Sequence, residues 1–151
     1  MELKTDRSCH AKYNLQYHLI LVTKYRKPCI TAEIFETIKN QFIHVADMNN
    51  CKIDEISYEN DHVHVLLSTP PQICLSALIN SLKSTSSRRV RQKHASYLSK
   101  YYWKPIFWNR SYLILSSGGA PIEIIRAYIQ EQGTEKHAAK GRPKKKAAIT
   151  T

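Results

Sequence analysis

The chain has 151 residues, 42% apolar and 23% charged, which suits one globular domain with a real core and excludes a disordered chain. Its net charge of +11 favours a polyanionic partner, most often nucleic acid. Residues 133–151 set six basic groups (Lys136, Lys140, Arg142, Lys144, Lys145, Lys146) against Glu135, so the tail holds +5 and the body still holds +6. Cys9, Cys29, Cys51 and Cys74 form no C-x-x-C pair, which argues for free thiols in a reducing cytosol rather than a disulfide framework or a zinc site. The N-terminus has no signal-peptide h-region, and no apolar run reaches membrane-spanning length. A cytoplasmic protein with no membrane partner is expected.

In chain order, residues 1 to about 11 are polar and read as loose. Tyr13 to Val22 alternates, with Tyr13, Leu15, Tyr17, Leu19 and Leu21 on one side and Asn14, Gln16, His18, Ile20 and Val22 on the other, as in a strand. Lys24-Tyr25-Arg26-Lys27-Pro28 is a basic loop with an aromatic inside it. Lys24, Arg26 and Lys27 there suit phosphate contacts, although a solvated loop is equally consistent with the residues. Thr31 is a candidate N-cap for a helix whose core stripe is Ile34, Ile38, Phe42 and Val45, extended by Met48 and ended by Asn49-Asn50. Cys51 to Glu59 is a second strand, and Asn60-Asp61 supplies the turn of an antiparallel hairpin.

The returning strand carries Val63, Val65 and Leu67 on one face and His62, His64 and Leu66 on the other, until Ser68-Thr69-Pro70-Pro71 stops it. Two imidazoles at i and i+2 stand roughly 6.5–7 Å apart, close enough to grip one metal ion. A half-buried strand that happens to carry two histidines is the plain alternative. From about Cys74 to His94 a helix follows on Leu75, Leu78, Ile79 and Leu82. Its later half carries Lys83, Arg88, Arg89 and Arg91 among hydroxyls without interleaved carboxylates, a surface suited to a phosphate backbone. Cations that merely complement the helix dipole would look the same.

Tyr97 to Lys104 is an aromatic, basic connector. Phe107 to Ser116 alternates as a last strand, with Arg110 a further candidate DNA contact. Gly118-Gly119 reads as a flexible joint, Pro121 opens a final helix with the stripe Ile122, Ile125 and Ile129, and Gly133 ends it. Tyr128 and Gln132 lie i and i+4 on that helix, outside the stripe. A phenol can attack a metal-polarised electrophile, and an amide oxygen can be a neutral ligand. Residues 12–133 read as a single domain, and 134–151 as a basic, disordered tail.

Asn60-Asp61-His62-Val63-His64, then Ser-Tyr-Leu-Ile-Leu-Ser-Ser-Gly-Gly-Ala-Pro over 111–121, then Tyr-Ile-Gln-Glu-Gln over 128–132 resemble the single-tyrosine HUH transposases of small insertion sequences, the IS-two-hundred type. Tyr-His-Leu-Ile-Leu-Val-Thr-Lys-Tyr-Arg-Lys-Pro over 17–28 and Lys-Ser-Thr-Ser-Ser-Arg over 83–88 are similar to the same family. That family often has a threonine–valine pair where this chain has Ser116-Ser117.

The resemblance implies an α+β fold, a ferredoxin-like antiparallel sheet with helices on one face and a mobile C-terminal helix carrying the tyrosine. The strand-helix-strand-strand-helix-strand order above agrees with it independently. The resemblance also implies that Tyr128 cuts single-stranded DNA through a 5′-phosphotyrosine link. His62, His64 and Gln132 would hold Mg²⁺ or Mn²⁺, and no nucleotide cofactor would be needed. The expected partners are DNA hairpins at element ends and a second copy of the chain, with Gly118 and Gly119 letting the subunits share active sites. A domesticated relative acting on chromosomal palindromes and a non-catalytic single-strand-binding module remain alternatives.

Overall fold

The computed structural model describes residues 6–7, 12–117 and 127–131. Its element order is β1 (Asp6–Arg7), β2 (Lys12–Tyr13), β3 (Leu15–Val22), a 3-10 turn (Lys24–Arg26), α1 (Ala32–Met48), β4 (Lys52–Tyr58), β5 (His62–Thr69), α2 (Leu75–Lys93), α3 (Ala95–Leu98) and β6 (Leu113–Ser116). The main sheet is antiparallel in the order β4-β5-β3-β6. From β3 to β6 this is the ferredoxin-like β-α-β-β-α-β arrangement, with β3 and β5 central. Among the described residues, no helix is long and apolar enough to cross a membrane.

The core lies where Leu19, Leu21, Val63, Val65 and Leu67 meet Ile34, Ile38 and Phe42 of α1 and Leu78, Ile79 and Leu82 of α2. Each fully buried aliphatic side chain contributes about 1.5–3 kcal/mol through removal from water. Thr31 caps α1 by accepting from the Ile34 amide at 3.2 Å, which typically contributes about 1 kcal/mol. At the other end Asn50 takes φ 56°, a left-handed conformation that asparagine tolerates. The Asn50 and Cys51 amides then donate back to Asp47 and Ala46 at 3.3 and 2.9 Å, closing the helix with a Schellman motif. Met48 is 72% exposed, so the core stripe ends at Ala46 and does not extend to Met48 as expected, because the helix is already terminating there.

Three further expectations are corrected. The first strand begins at Leu15, and Lys12–Tyr13 instead pairs with Asp6–Arg7, so part of the N-terminal stretch is ordered. The alternation over 107–116 yields only the short strand β6. Asn109 intervenes, its side-chain oxygen accepting from the Arg110 amide at 3.1 Å and its amide donating to Ser111 Oγ at 3.3 Å. Such local bonds compete with a sheet ladder. Trp108 still forms an isolated bridge to Thr23. The unexpected short helix α3 opens the aromatic connector. Gly118, Gly119, Pro121, Ile122, Ile125, Gln132, Gly133 and the basic tail lie outside the described residues.

Helix α2 and the Trp108 loop are joined by one buried polar contact. Ser86, with no exposed surface, accepts from Trp108 Nε1 at 2.9 Å and donates to the Leu82 carbonyl at 2.6 Å. Ser86→Ala leaves a buried indole N–H without its acceptor, and its expected cost in a urea-unfolding measurement is about 1–3 kcal/mol.

Candidate active site

Strand β5 alternates half-buried and buried along its length. Val63, Val65, Leu67 and Thr69 point to the core, which leaves His62, His64, Leu66 and Ser68 on the opposite face. The register with β3 sets Val22 opposite His62, Ile20 opposite His64 and His18 opposite Leu66. All six therefore share that face. His18 stands diagonally across from His64, within reach for side chains on neighbouring strands. Their rings meet: His18 Nδ1 lies 2.8 Å from His64 Nε2, with ring centroids 5.1 Å apart.

The other histidine is held from the β4–β5 turn. The Glu59 amide donates to the His62 carbonyl at 2.9 Å, closing the turn on Asn60 and Asp61. His62 Nδ1 donates to Asp61 Oδ1 at 2.8 Å, and Arg26 Nε donates to Asp61 Oδ2 at 2.6 Å. Burial alone would raise the Asp61 pKa, but these hydrogen bonds and the neighbouring positive charges keep it below its ordinary value. The Asp61 carbonyl also accepts from the Thr23 amide at 3.0 Å and from Thr23 Oγ1 at 3.2 Å. One turn residue thus ties the imidazole, the basic loop and the end of β3 together.

These contacts suit a divalent ion. With its proton committed to Asp61, the His62 imidazole offers Nε2 as a lone-pair donor, the tautomer selected by a carboxylate behind a ligating histidine. Burial, then the charges of His18 and His62, hold the His64 pKa below the usual 6.5, favouring the neutral ring that ligation requires. Among the described residues, no three His, Cys, Asp or Glu side chains are grouped to hold an ion by themselves. The expected third ligand, Gln132, lies outside those residues. Tyr128 lies on the helical segment 127–131; it is half-buried and its hydroxyl oxygen is shielded from solvent.

The basic loop is unusual in its backbone. Tyr25 and Arg26 have φ of 59° and 53°, consecutive left-handed residues without a glycine. Each costs of order 1 kcal/mol and persists only where its surroundings impose it. Here Thr23 Oγ1 donates to the Lys27 carbonyl at 2.8 Å, the Arg26 amide donates to the Thr23 carbonyl at 2.9 Å, and Asp61 holds the guanidinium. The turn leaves the Tyr25 ring 46% exposed, with Lys24 Nζ 5.4 Å from its centroid. Lys83 donates to the Arg110 carbonyl at 2.9 Å, and burial and the charge of Lys24 lower its pKa. Lys24 and Lys83 are therefore neighbouring cations, and the backbone of Arg110 lies beside Lys83. Arg88 and Arg89 are exposed farther along α2, and Arg91 is half-buried with Nε 3.4 Å from Ser87 Oγ.

Sequence reasoning missed His18 and the orienting role of Asp61. Alternation had placed His18 on the mixed face of its strand, but the register that brings it to His64 is a property of strand pairing. Asp61 was visible only as turn chemistry.

The family model described as "Transposase IS200 like" matches residues 11–132. The ISDra2 transposase TnpA of Deinococcus radiodurans is 32% identical over 132 residues, covering 87% of this chain and 92% of the relative. The transposase for insertion sequence element IS200 of Salmonella typhimurium is 28% identical, covering 82% and 80%. A crystal structure from Deinococcus radiodurans R1, of a chain described as a transposase, superposes with a TM-score of 0.77 at 29% identity, covering 84% of this chain and 97% of that one. A REP-associated tyrosine transposase bound to a REP hairpin shares the fold at TM-score 0.51 and 13% identity, covering 87% and 74%. A match running from before the first long strand to beyond Tyr128, on a sheet of this topology, means that the chain belongs to the IS200-like transposases, a family of DNA-cleaving enzymes.

Proposed function

We propose that this transposase cuts and rejoins single-stranded DNA at hairpin-marked element ends, with Tyr128 as nucleophile. The observation that carries the proposal is the pair His62 and His64, held on one sheet face by Asp61 and His18, in a chain of this family. A divalent ion held by His62, His64 and the Gln132 amide would polarise the scissile phosphodiester. Nitrogen donors favour Mn²⁺ over the oxygen-seeking Mg²⁺ in affinity. Asp61 keeps the His62 proton on Nδ1. When His64 donates from Nε2 to His18, its Nδ1 keeps a lone pair.

The Tyr128 oxygen attacks phosphorus and forms the Oη–P bond while the P–O3′ bond breaks. The phenolic proton passes to solvent, and the departing 3′ oxygen is protonated to a hydroxyl. Attack by another 3′ hydroxyl on the phosphotyrosine reverses these bond changes, so one phosphodiester is exchanged for another without a nucleotide cofactor. The working unit is a homodimer in which the Gly118-Gly119 joint lets the Tyr128 helix of one subunit complete the histidine pair of the other. Residues 12–133 form the catalytic domain, and the tail from 134 adds electrostatic attraction to DNA.

The test is incubation with single-stranded oligonucleotides from the DNA flanking the gene, with Mn²⁺ or Mg²⁺, followed by denaturing electrophoresis. A covalent protein–DNA adduct supports the proposal, and cleavage that leaves no adduct, even transiently, overturns it. The basic loop (Lys24, Arg26, Lys27) and the cations Lys83, Arg88, Arg89, Arg91 and Arg110 would grip the DNA backbone. Arg88→Ala is expected to lower the slope of log affinity against log salt by about 0.7–0.9, as is Arg89→Ala. An unchanged slope in both removes that part of α2 from the interface.

A further inference from the structure

The sequence between Asp61 and Glu123 has eight Lys and Arg residues and no Asp or Glu. Within it, the connector after α3 exposes an indole that the fold does not use. Trp103 is 88% exposed, whereas Trp108 is 8% exposed and hydrogen-bonded to Ser86. Lys104 Nζ lies 4.8 Å from the Trp103 ring centroid. Beside the indole is a cavity of about 190 Å³, lined by Leu98, Tyr102 and Ile106 together with Arg91, Trp103 and Lys104. Leu98 and Tyr102 are core residues, so the cavity has a fixed apolar wall. Tyr102 also donates from its hydroxyl to the Lys24 carbonyl at 2.6 Å, and the Lys24 amide donates to the Phe107 carbonyl at 2.8 Å. The connector is therefore bonded directly to the basic loop that Asp61 anchors next to His62.

We propose that Trp103 and this cavity form a slot for one unpaired base of single-stranded DNA, with Arg91 and Lys104 taking the flanking phosphates. The inference rests on the reading of the chain as a single-strand DNA enzyme. An aromatic face accepts any base, and among the described residues no carboxylate lines the cavity to repel the backbone. A cavity wall built from core residues holds its shape before the base arrives, which limits the ordering cost of binding. The slot gives the enzyme a grip on unpaired nucleotides separate from its grip on duplex phosphates.

The test compares a blunt DNA duplex with the same duplex bearing a short single-stranded flank. The full chain should bind the flanked duplex more tightly, with quenching of tryptophan emission. Trp103→Ala should lose about tenfold in affinity for the flanked duplex and nothing for the blunt one, while Trp103→Phe keeps most of the affinity. An exposed side chain leaves the fold intact in both variants. Equal binding of both DNAs by Trp103→Ala and the parent overturns the slot, as does an equal loss on both. It is also overturned if sedimentation shows that Trp103→Ala dissociates an assembly formed by the parent, since a second copy would then cover the indole. If the parent fails to bind either DNA, the functional reading itself falls. If the parent binds and cleaves DNA but is indifferent to Trp103, only the slot falls.

Discussion

Tyr128→Phe is expected to abolish the covalent protein–DNA adduct while leaving DNA affinity within about twofold of the parent. The substitution removes one oxygen and keeps the ring that half-buries this position. Loss of a sole nucleophile costs at least about ten-thousandfold in turnover. Quantification of adduct and of 3′-hydroxyl product on the same gel checks it. Retained cleavage would mean that water attacks phosphorus, and Tyr128 would then have no part in the chemistry. Loss of binding in parallel with cleavage would mean that the helix serves as a structural prop.

The second large effect falls on the ion. His62→Ala removes one of two imidazole donors and is expected to slow cleavage by about a thousandfold, equivalent to about 4 kcal/mol of lost electrophilic assistance. DNA affinity measured without divalent ions should be unaffected. Asp61→Asn and His18→Ala act from behind the ligands, so each should weaken Mn²⁺ binding by about 10–100-fold without changing which atoms react. Electron paramagnetic resonance of Mn²⁺ reads this directly, independent of turnover. Mn²⁺ affinity in His62→Ala equal to the parent would place the ion elsewhere. Mixing Tyr128→Phe with His62→Ala separates two assemblies. Shared sites regain activity in the mixed dimer, because one composite site keeps both a phenol and an intact histidine pair; sites confined to one subunit stay dead.

Much of the frame was legible because it depends on local period and punctuation. Alternation along β5 put the histidines opposite Val63, Val65 and Leu67, and burial follows that alternation. Thr31, Asn50 and the Asn60-Asp61 turn end or begin elements by chemistry that reaches only a few residues. His18 was not legible as a partner of His64, because 46 residues separate them and a one-residue slip between β3 and β5 would send it to the other face. Asp61 was legible as a turn former but not as the carboxylate behind His62. The over-long strand at 107–116 shows the converse error: alternation was present, but Asn109 offered the backbone a nearer partner.

The two-sided grip of Asp61 has a thermodynamic consequence. Its carboxylate spans an imidazole on one oxygen and a guanidinium on the other, so a nucleic-acid phosphate that recruits Arg26 competes with the group aiming His62. Occupancy of one locus then shifts the standing of its neighbour, and linkage makes the influence reciprocal. Whatever factor the polynucleotide imposes on Mn²⁺ affinity, Mn²⁺ must impose in return on the polynucleotide.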